Sequence, residues 1–233
     1  AVLTRVELRR DEPLIDPRFF RSPPFSGASL IALTAFATLG GFLFLNTLYL
    51  QDIRHYSALE SGLLLLPMAA MLFVFARVSG HLVGTKGPRL PLVLSGPPLA
   101  IGALMLAQLS TTTSLAYLIA AYVVFGVGCG LVNAPISTTA MSGMPLDQAG
   151  VAGAVASTSR QVGSSLGVAV TGSIVALGTG ATFVGASHAA WYVLAVCGAA
   201  VCVLGFVSTG EWARTTATRN GERLQERAKE MAR

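Results

Sequence analysis

The sequence predicts an all-α polytopic membrane protein, folded as a bundle of six transmembrane helices. Of its 233 residues, 53% are hydrophobic and only 12% are charged, whereas a soluble domain carries roughly 25% charged residues. The mean hydropathy is correspondingly high, at +0.65. The charges are concentrated at the two ends and in short loops, which leaves long uncharged runs between them. This distribution is typical of a chain that crosses a lipid bilayer several times.

The basic balance of the chain fits this class and does not indicate a nucleic-acid partner. The formal net charge is +5 and the isoelectric point is about 9.5, but basic residues collect on the cytoplasmic side of membrane proteins. Aromatic and basic residues are not interleaved as they are in nucleic-acid-binding surfaces. The three cysteines lie in apolar runs without metal-ligand spacing, so they are predicted to be small buried side chains. We therefore expect no metal site and no cofactor.

The distribution of charge and proline divides the chain into three regions. Residues 1–24 are predicted to be a cytoplasmic lead-in, because they are basic and their prolines prevent a long helix. Residues 25–209 hold the transmembrane bundle, and residues 210–233 form a basic cytoplasmic tail. The chain begins with Ala1 and a charged stretch rather than with a signal peptide. We expect it to be the C-terminal part of a longer polypeptide.

Short polar or glycine-rich segments separate the six spans. The predicted spans cover about residues 28–50, 59–83, 92–109, 115–137, 150–177 and 189–208. Pro67 is expected to kink the second span, because proline is tolerated in membrane helices and often bends them. Residues 80–91 are expected to form a tight turn. Arg and Lys outside the spans are concentrated in the lead-in, this turn and the tail, which predicts that both termini are cytoplasmic.

One face of the first span carries a polar amide between two aromatic rings. Phe42, Asn46 and Tyr49 recur at i, i+4 and i+7, so they lie on one side of a helix. Two interpretations remain open for this face. It is either an ordinary packing surface with one interhelical hydrogen bond, or it contacts a substrate.

The fourth span carries small and polar residues on one helical stripe. The stripe consists of Gly126, Gly130, Asn133 and Ser137. Glycines let a neighbouring backbone come close, and the amide supplies a polar group further along the same face.

The fifth span combines an apolar run with charged, amide and hydroxyl side chains. Such groups are costly at membrane depth and normally face protein or a watery cavity. A polar stripe consists of Ser157, Gln161, Ser164 and Thr171, and a neighbouring smooth stripe consists of Gly163 and Gly167. We expect a second helix to pack on the smooth stripe, as in a helix inside a transport protein.

Arg160 is the most notable charge in the spans, and two interpretations of it remain open. It pairs with an acidic group across a central cavity when the cytoplasmic side closes, or it snorkels to the interface. Snorkelling is feasible because the strongly apolar run begins only at Val162. Arg77 has a similar depth, but its place near the end of its span favours snorkelling.

Residues 163–167 (GSSLG) also match the G-x-S-x-G pattern of serine hydrolases, and His188 follows later in the chain. The nucleophile elbow requires a strand-to-helix turn that presents the serine. Here the pentapeptide lies in a helical apolar run, and His188 is predicted to lie in a loop. We therefore predict no catalytic residue and no enzyme.

Three stretches carry a family resemblance. The three stretches are residues 13–21 (PLIDPRFFR), residues 56–67 (YSALESGLLLLP), and residues 149–153 (AGVAG) together with 159–167 (SRQVGSSLG). In this order they resemble the approaches to the ninth, tenth and thirteenth spans of the fourteen-span drug:proton antiporters of the EmrB/QacA type, within the major facilitator superfamily. The resemblance covers nearly the whole chain and implies six spans that make the C-terminal half of a major facilitator fold.

The resemblance implies a proton-coupled multidrug or small-molecule efflux transporter that works by alternating access in the cell membrane. The partners it implies are the lipid bilayer, a missing N-terminal half, a small hydrophobic or cationic substrate, and protons. In this superfamily the first, second, fourth and fifth helices of each half line the cavity. The residues expected to face substrate are Phe42, Asn46, Tyr49, Asn133 and Ser164.

The superfamily's cytoplasmic turn motif, G-x-L-x-D-R-x-G-x-R, is only partly present. Gly80, Leu82, Gly87 and Arg89 match it, whereas Gly84 and Thr85 replace the Asp and the Arg. The partial match supports a tight cytoplasmic turn and little more. Arg160, on the fifth span, is the residue expected to help close the cytoplasmic side.

Proton coupling needs an ionisable group that is reachable from both sides of the membrane. Asp52, Glu60 and Asp147 all lie at span ends, and no Asp or Glu lies in the middle of a predicted span. The proton-carrying carboxylate is therefore expected in the missing half. Two other functions remain open, namely an exporter of one metabolite (siderophore, lipid precursor or amino acid) and a non-transporting scaffold or regulatory half-transporter.

Overall fold

A computed structural model describes residues 23–142, 149–176, 181–210 and 216. Within these residues the chain is helical and contains no β-strand. The helices are α1 (Pro23–Leu48), α2 (Ala58–Leu64), α3 (Leu66–Lys86), α4 (Arg89–Leu106), α5 (Leu115–Met141), α6 (Ala149–Val175) and α7 (Ala181–Ser208). A π-helical turn, Tyr49–Ile53, continues α1. The predicted lead-in and tail lie almost entirely outside the described residues.

Five helical segments of the described chain are long and apolar enough to cross a membrane. They are Pro24–Ile53, Ala58–Lys86, Arg89–Leu106, Leu115–Met141 and Thr182–Ser208. Helix α6 is also long enough, with 27 residues, but its polar side chains make it less apolar than the others. The predicted fold class, an all-α membrane bundle, is confirmed.

The second predicted span is interrupted just before its proline. Helix α2 ends at Leu64, and α3 begins at Leu66 with Pro67 in its first turn, where the missing N–H of proline removes no helical hydrogen bond. Ser57 begins α2 through a capping box, because its hydroxyl accepts from the Glu60 N–H and the Glu60 carboxylate accepts from the Ser57 N–H. The carboxylate of Glu60 is thus explained by local structure.

The helices form two rows. Helices α3, α5, α1 and α6 lie side by side in the first row, and α4 and α7 form a second row that packs behind α5 and α1. This order agrees with the resemblance, which implies that the first, second, fourth and fifth spans line a cavity. We refer to the side of the first row that faces away from α4 and α7 as the open face.

Glycines allow the closest helix contacts of the first row. A Cβ atom on Gly163 would lie 2.9 Å from the Leu33 Cα, and one on Gly167 would lie 2.8 Å from the Ala37 Cα. On the other side of the row, a Cβ atom on Gly126 or Gly130 would lie 2.6 or 2.7 Å from a carbonyl oxygen of α3. Real Cβ atoms do not come this close to a backbone, so only glycine permits α6 to reach α1 and α5 to reach α3.

The turn between α3 and α4 is shorter than residues 80–91. Helix α3 continues to Lys86, so Gly80, Leu82, Gly84 and Thr85 lie on a helix, which corrects the position predicted for Gly80. Glycine is tolerated within membrane helices, and these glycines did not end α3. Gly87 makes the turn itself, with φ 79° and ψ 173°, a backbone region that is essentially restricted to glycine.

We expect Gly87→Ala to lower the free energy of unfolding by about 1–3 kcal/mol, because alanine is strained at this φ. Gly84→Ala is the matched control, since Gly84 is helical and a Cβ there would meet no atom within 4 Å. Alanine is a better helix former than glycine by about 1 kcal/mol, so Gly84→Ala should be neutral or stabilising. Thermal unfolding of the purified full-length protein in detergent measures both. Equal effects of the two substitutions would contradict the turn geometry.

Helix α7 begins at Ala181, eight residues before the predicted start near residue 189. His188 therefore lies on a helix and not in a loop, which corrects the prediction. Its imidazole Nε2 lies 2.8 Å from the carbonyl oxygen of Leu109. The histidine thus connects α7 to the segment that follows α4. GSSLG at residues 163–167 lies inside helix α6, without the strand-to-helix turn that a nucleophile elbow requires.

Candidate functional site

The aromatic face of α1 lies in the interior of the bundle. Phe42 is fully buried, and its ring stacks on that of Phe125 with the centroids 4.5 Å apart. The rings of Tyr122 and Trp191 meet it edge-on, with centroids 5.6 and 6.0 Å away. This cluster joins α1, α5 and α7, because stacked and edge-to-face rings pack well together.

Asn46 and Tyr49 are as inaccessible as Phe42, with 0% and 2% of their surfaces exposed. The Tyr122 hydroxyl donates a hydrogen bond to Asn46 Oδ1, and the Tyr49 hydroxyl donates to the Ser110 carbonyl oxygen at 2.7 Å. The structure therefore gives this face the packing role with an interhelical hydrogen bond. The prediction that Phe42, Asn46 and Tyr49 face substrate is corrected, because no side chain enclosed within one half can line a cavity beside it.

The Asn46–Tyr122 bond should be detectable as energetic coupling between α1 and α5. Asn46→Leu leaves the Tyr122 hydroxyl buried without its acceptor, and we expect a loss of about 1–3 kcal/mol in the free energy of unfolding. Combined with Tyr122→Phe, the loss should be smaller than the sum of the two single losses. Denaturant unfolding of the four proteins in detergent measures the coupling. Asn46→Leu with Tyr192→Phe, an exposed tyrosine on α7, should be additive. If the stability losses of Asn46→Leu and Tyr122→Phe simply add in the double variant, the hydrogen bond between these side chains is contradicted.

The C-terminal end of α1 is held to a neighbouring loop through a backbone carbonyl. Arg54 Nη1 donates to the Thr113 carbonyl oxygen at 2.7 Å and to the Tyr49 hydroxyl at 3.4 Å. The side-chain hydrogen bond with Tyr49 is the largest cause that raises the pKa of the Arg54 guanidinium above its ordinary value. Arg54 is thus charged at any physiological pH. It fixes the end of α1 to the segment that connects α4 and α5.

Arg160 crosses the open face between α6 and α5. Its Nη2 donates to the Ser137 hydroxyl at 2.8 Å, and its guanidinium carbon lies 5.8 Å from the centroid of the Phe36 ring on α1. Phe36 shares a helical stripe with Leu43 and Thr47, which are exposed. Three helices of the first row therefore meet at one half-buried cation.

The guanidinium of Arg160 has more donors than partners. Arginine carries five N–H donors, and in the described part of the chain only the Ser137 hydroxyl accepts from them. Arg160 Nε is buried without a hydrogen-bond partner there. The sequence has no Asp or Glu between Glu60 and Asp147, or between Asp147 and Glu211. The site is therefore a cation at membrane depth with no acidic residue of the adjacent spans to neutralise it.

The other predicted site residues lie at different places on the first row. Asn133 is half-buried, one helical turn from Ser137 on the same side of α5, and its Nδ2 lies 3.4 Å from the Cys129 carbonyl oxygen. Ser164 is half-buried where α6 meets Gly40 of α1, since a Cβ on Gly40 would lie 2.8 Å from the Ser164 hydroxyl oxygen. The side chains of Asn133 and Ser164 are therefore less enclosed than those of the aromatic face of α1.

The polar stripe predicted on α6 is divided between solvent-accessible and buried positions. Ser157 and Gln161 are exposed, whereas Thr171 is fully buried and donates to the Gly167 carbonyl oxygen at 2.7 Å. Local backbone bonding of this kind satisfies a hydroxyl without any ligand.

Two further arginines, Arg77 within α3 and Arg89 at the start of α4, pack on aromatic rings. The Arg89 guanidinium carbon lies 4.7 Å from the Phe206 ring centroid on α7, and that of Arg77 lies 4.3 Å from the Phe73 ring centroid on α3. Arg77 is exposed. Both contacts are cation–π interactions within this chain, so neither side chain joins the site around Arg160.

Comparison with known proteins identifies the family of this chain. A profile of the Major Facilitator Superfamily matches residues 4–168. The chain belongs to the Major Facilitator Superfamily. It is therefore a multi-pass protein of a membrane transporter family, and this membership points to a transporter and not to an enzyme.

Curated members of the Major Facilitator Superfamily resemble the chain over most of its length. The multidrug resistance protein Stp of Mycobacterium tuberculosis is 35% identical over 182 residues, which are 78% of this chain and 34% of that protein. The tetracenomycin C resistance and export protein of Streptomyces glaucescens is 37% identical over 184 residues, 78% of this chain and 34% of that protein. The quinolone resistance protein NorB of Staphylococcus aureus is 28% identical over 207 residues, 87% of this chain and 43% of that protein. The chain thus spans about a third to two fifths of the relatives it matches.

Proposed function

We propose that the chain is the C-terminal half of a proton-coupled multidrug or small-molecule efflux transporter of the fourteen-span EmrB/QacA type. The observation that carries the proposal is the meeting of α1, α5 and α6 at Arg160 on the open face. A charged group on this face needs a polar partner or water, and a cavity shared with a second half supplies both. The names of the three relatives, which refer to resistance or export, support efflux.

The N-terminal half would supply the second wall of the cavity and the proton-carrying carboxylate. The chain matches only about a third to two fifths of its relatives, which leaves room for such a half. Both termini of this chain would lie in the cytoplasm. The lead-in, the turn between α3 and α4 and the tail lie on one side of a six-span chain and hold most of the basic residues outside the spans, and such residues collect on the cytoplasmic side. Substrate would then move outward as the two halves rock about the cavity between them.

The exposure and packing of the side chains support the following roles for residues of this half. Asn133 and Ser164 remain proposed substrate contacts, since both are half-buried. Arg160 is proposed to help close the cytoplasmic side. Gly87 and Arg89 are proposed to hold the cytoplasmic turn, and Gly126, Gly130, Gly163 and Gly167 are proposed to keep the four helices of the first row closely packed as one rigid wall.

Transport by the full-length protein tests this function. Reconstituted into proteoliposomes, it should move a neutral hydrophobic fluorophore against its gradient when a pH gradient is imposed. A protonophore should abolish the movement, because the proton gradient is the proposed energy source. If the fluorophore still accumulates against its gradient in the presence of the protonophore, proton coupling is contradicted. Absence of movement for every compound in a broad panel would contradict efflux and favour a scaffold or regulatory role.

Export of one metabolite is the second candidate function. The tetracenomycin C resistance and export protein, 37% identical over 184 residues, favours it, because its name refers to a single natural product. The same proteoliposomes separate the two functions. A multidrug exporter should accept several unrelated hydrophobic compounds, whereas a dedicated exporter should accept one chemical class, such as siderophores, lipid precursors or amino acids.

A further inference from the structure

We infer that the open face of this half selects substrates that carry an anionic group, and that the Arg160 guanidinium is the group that binds it. The inference rests on the proposed efflux function and adds the chemical class of the substrate. It replaces the broader expectation of a hydrophobic or cationic compound.

The position of Arg160 favours a ligand that enters from the cytoplasm. Arg160 lies about 16 Å along α6 from Ala149, at 1.5 Å per residue, which is within the cytoplasmic half of the span. The adjoining Ser137 lies one turn before the end of α5 at Met141. A substrate that enters between the two halves from the cytoplasmic side therefore meets the guanidinium early in its path.

The side chain is held in place before any ligand arrives. Ser137 accepts one N–H from Arg160, and the centroid of the Phe36 ring lies 5.8 Å from the guanidinium carbon. Because the fork is fixed at one nitrogen, fewer side-chain rotamers are lost when a carboxylate or a phosphate binds the remaining donors. Charge-assisted bonds of this type are about twice as strong as neutral ones.

The electrostatic balance of the spans points the same way. The middle of the described helices carries two cations, Arg77 and Arg160, and no acidic side chain. A quaternary ammonium drug near Arg160 is repelled by a like charge in a medium of low dielectric constant, whereas an anion is attracted. Neutral hydrophobic parts of the same ligand can rest on Phe36 and the exposed Leu43.

Three derivatives of one hydrophobic fluorophore test the inference. They carry a carboxylate, its neutral methyl ester and a trimethylammonium group, so charge changes while the apolar part is constant. Binding to the purified full-length protein and export from proteoliposomes are measured for each. We expect the wild type to bind the carboxylate about tenfold more tightly than the ester, and the trimethylammonium compound least tightly.

Arg160→Gln should remove the preference for the carboxylate, with about a tenfold loss of its affinity and less than a twofold change for the ester. Arg160→Lys should retain part of the preference, because the charge remains but the planar fork is lost. Arg77→Gln is the matched control. It removes one cation at a similar depth from an exposed position, and it should change none of the three affinities.

The possible results separate this inference from the proposed function. An equal loss for all three derivatives in Arg160→Gln would overturn the inference and assign the side chain to gating alone. Tightest wild-type binding of the trimethylammonium derivative would overturn it as well. Preferential binding of the carboxylate without export of any derivative would support the anion site and contradict the efflux function.

Discussion

Gly167→Ala is expected to push α6 away from α1 and to destabilise the bundle more than any other single-methyl change in the described chain. A Cβ at this position would lie 2.7 Å from the Ala37 carbonyl carbon and 2.8 Å from its Cα. Both are backbone atoms of a packed helix, so they cannot rotate away as the end of a side chain can. Overpacking typically costs about 1–3 kcal/mol, and we expect a value at or above the upper end.

The effect should also reach the site around Arg160. Helices α1 and α6 carry Phe36 and Arg160, so a shift between them changes the distance that the guanidinium must span to reach Ser137. The melting temperature of the full-length protein in detergent measures the loss of stability. The rate of fluorophore export per folded molecule measures the second effect, which we expect to be a reduction.

Gly153→Ala is the control within the same helix, because a Cβ at Gly153 would meet no atom within 4 Å. The helix propensity of alanine should make this change neutral or stabilising by about 1 kcal/mol. An unchanged melting temperature for Gly167→Ala would mean that α1 and α6 are not in backbone contact at this point. It would thereby contradict the packing of the first row.

Much of the fold was predictable because membrane insertion imposes strong rules on sequence. Long uncharged runs predict helices, since backbone groups in lipid must bond within their own segment. The interruption before Pro67 and the smooth stripe of Gly163 and Gly167 follow from the special backbone properties of proline and glycine. These features are local, so a single sequence contains the information needed to place them.

The boundaries at residues 80–91 and 181–188 were wrong for a common reason. Residues 80–91 contain three glycines and two prolines, and residues 181–188 are rich in Gly, Ala, Ser and Thr. In soluble proteins both compositions indicate a turn. In a membrane the helix continues through small residues, because the unbonded alternative is costly. Gly80 and His188 therefore lie on helices, and of the glycines that the structure describes only Gly87 adopts a backbone conformation that requires glycine.

The direction in which a polar face points was not predictable from its periodicity. Phe42, Asn46 and Tyr49 share one side of α1, but periodicity does not tell whether another helix or a cavity lies there. The decision depends on Tyr122, Phe125 and Trp191, which lie far away in sequence. Tyr122 had a detectable signal, since it precedes Gly126 by one turn on the predicted stripe, but nothing in the sequence joined it to Asn46.

Arg160 illustrates the same limit for charge. The sequence left pairing and snorkelling open, because each depends on what lies within reach of a long side chain. In the structure Ser137 of α5 and Phe36 of α1 hold the guanidinium against the bundle. A hydroxyl and a ring from two other helices thus determine the position of the cation, and neither lies near Arg160 in sequence.

Phe42→Ala is expected to have the largest effect of any side-chain truncation on α1. The ring is fully buried and contacts three other aromatic rings from α5 and α7. Its removal leaves a cavity at the point where both rows of helices meet, and large-to-small changes of this kind cost about 3–5 kcal/mol. In a bilayer the loss is one of van der Waals contacts and not of hydrophobic transfer. Denaturant unfolding of the full-length protein in detergent measures it.

Leu43→Ala, at the adjacent position, is the control for this truncation. The Leu43 side chain is 43% exposed on the open face, so its loss should change stability by well under 1 kcal/mol. The two roles considered for Phe42 also differ in their transport phenotype. A packing residue should lower the export of all compounds in proportion to the loss of folded protein, whereas a substrate contact should change the affinity for some compounds at unchanged stability. The second pattern would contradict the interior position of the ring and restore the substrate role for Phe42.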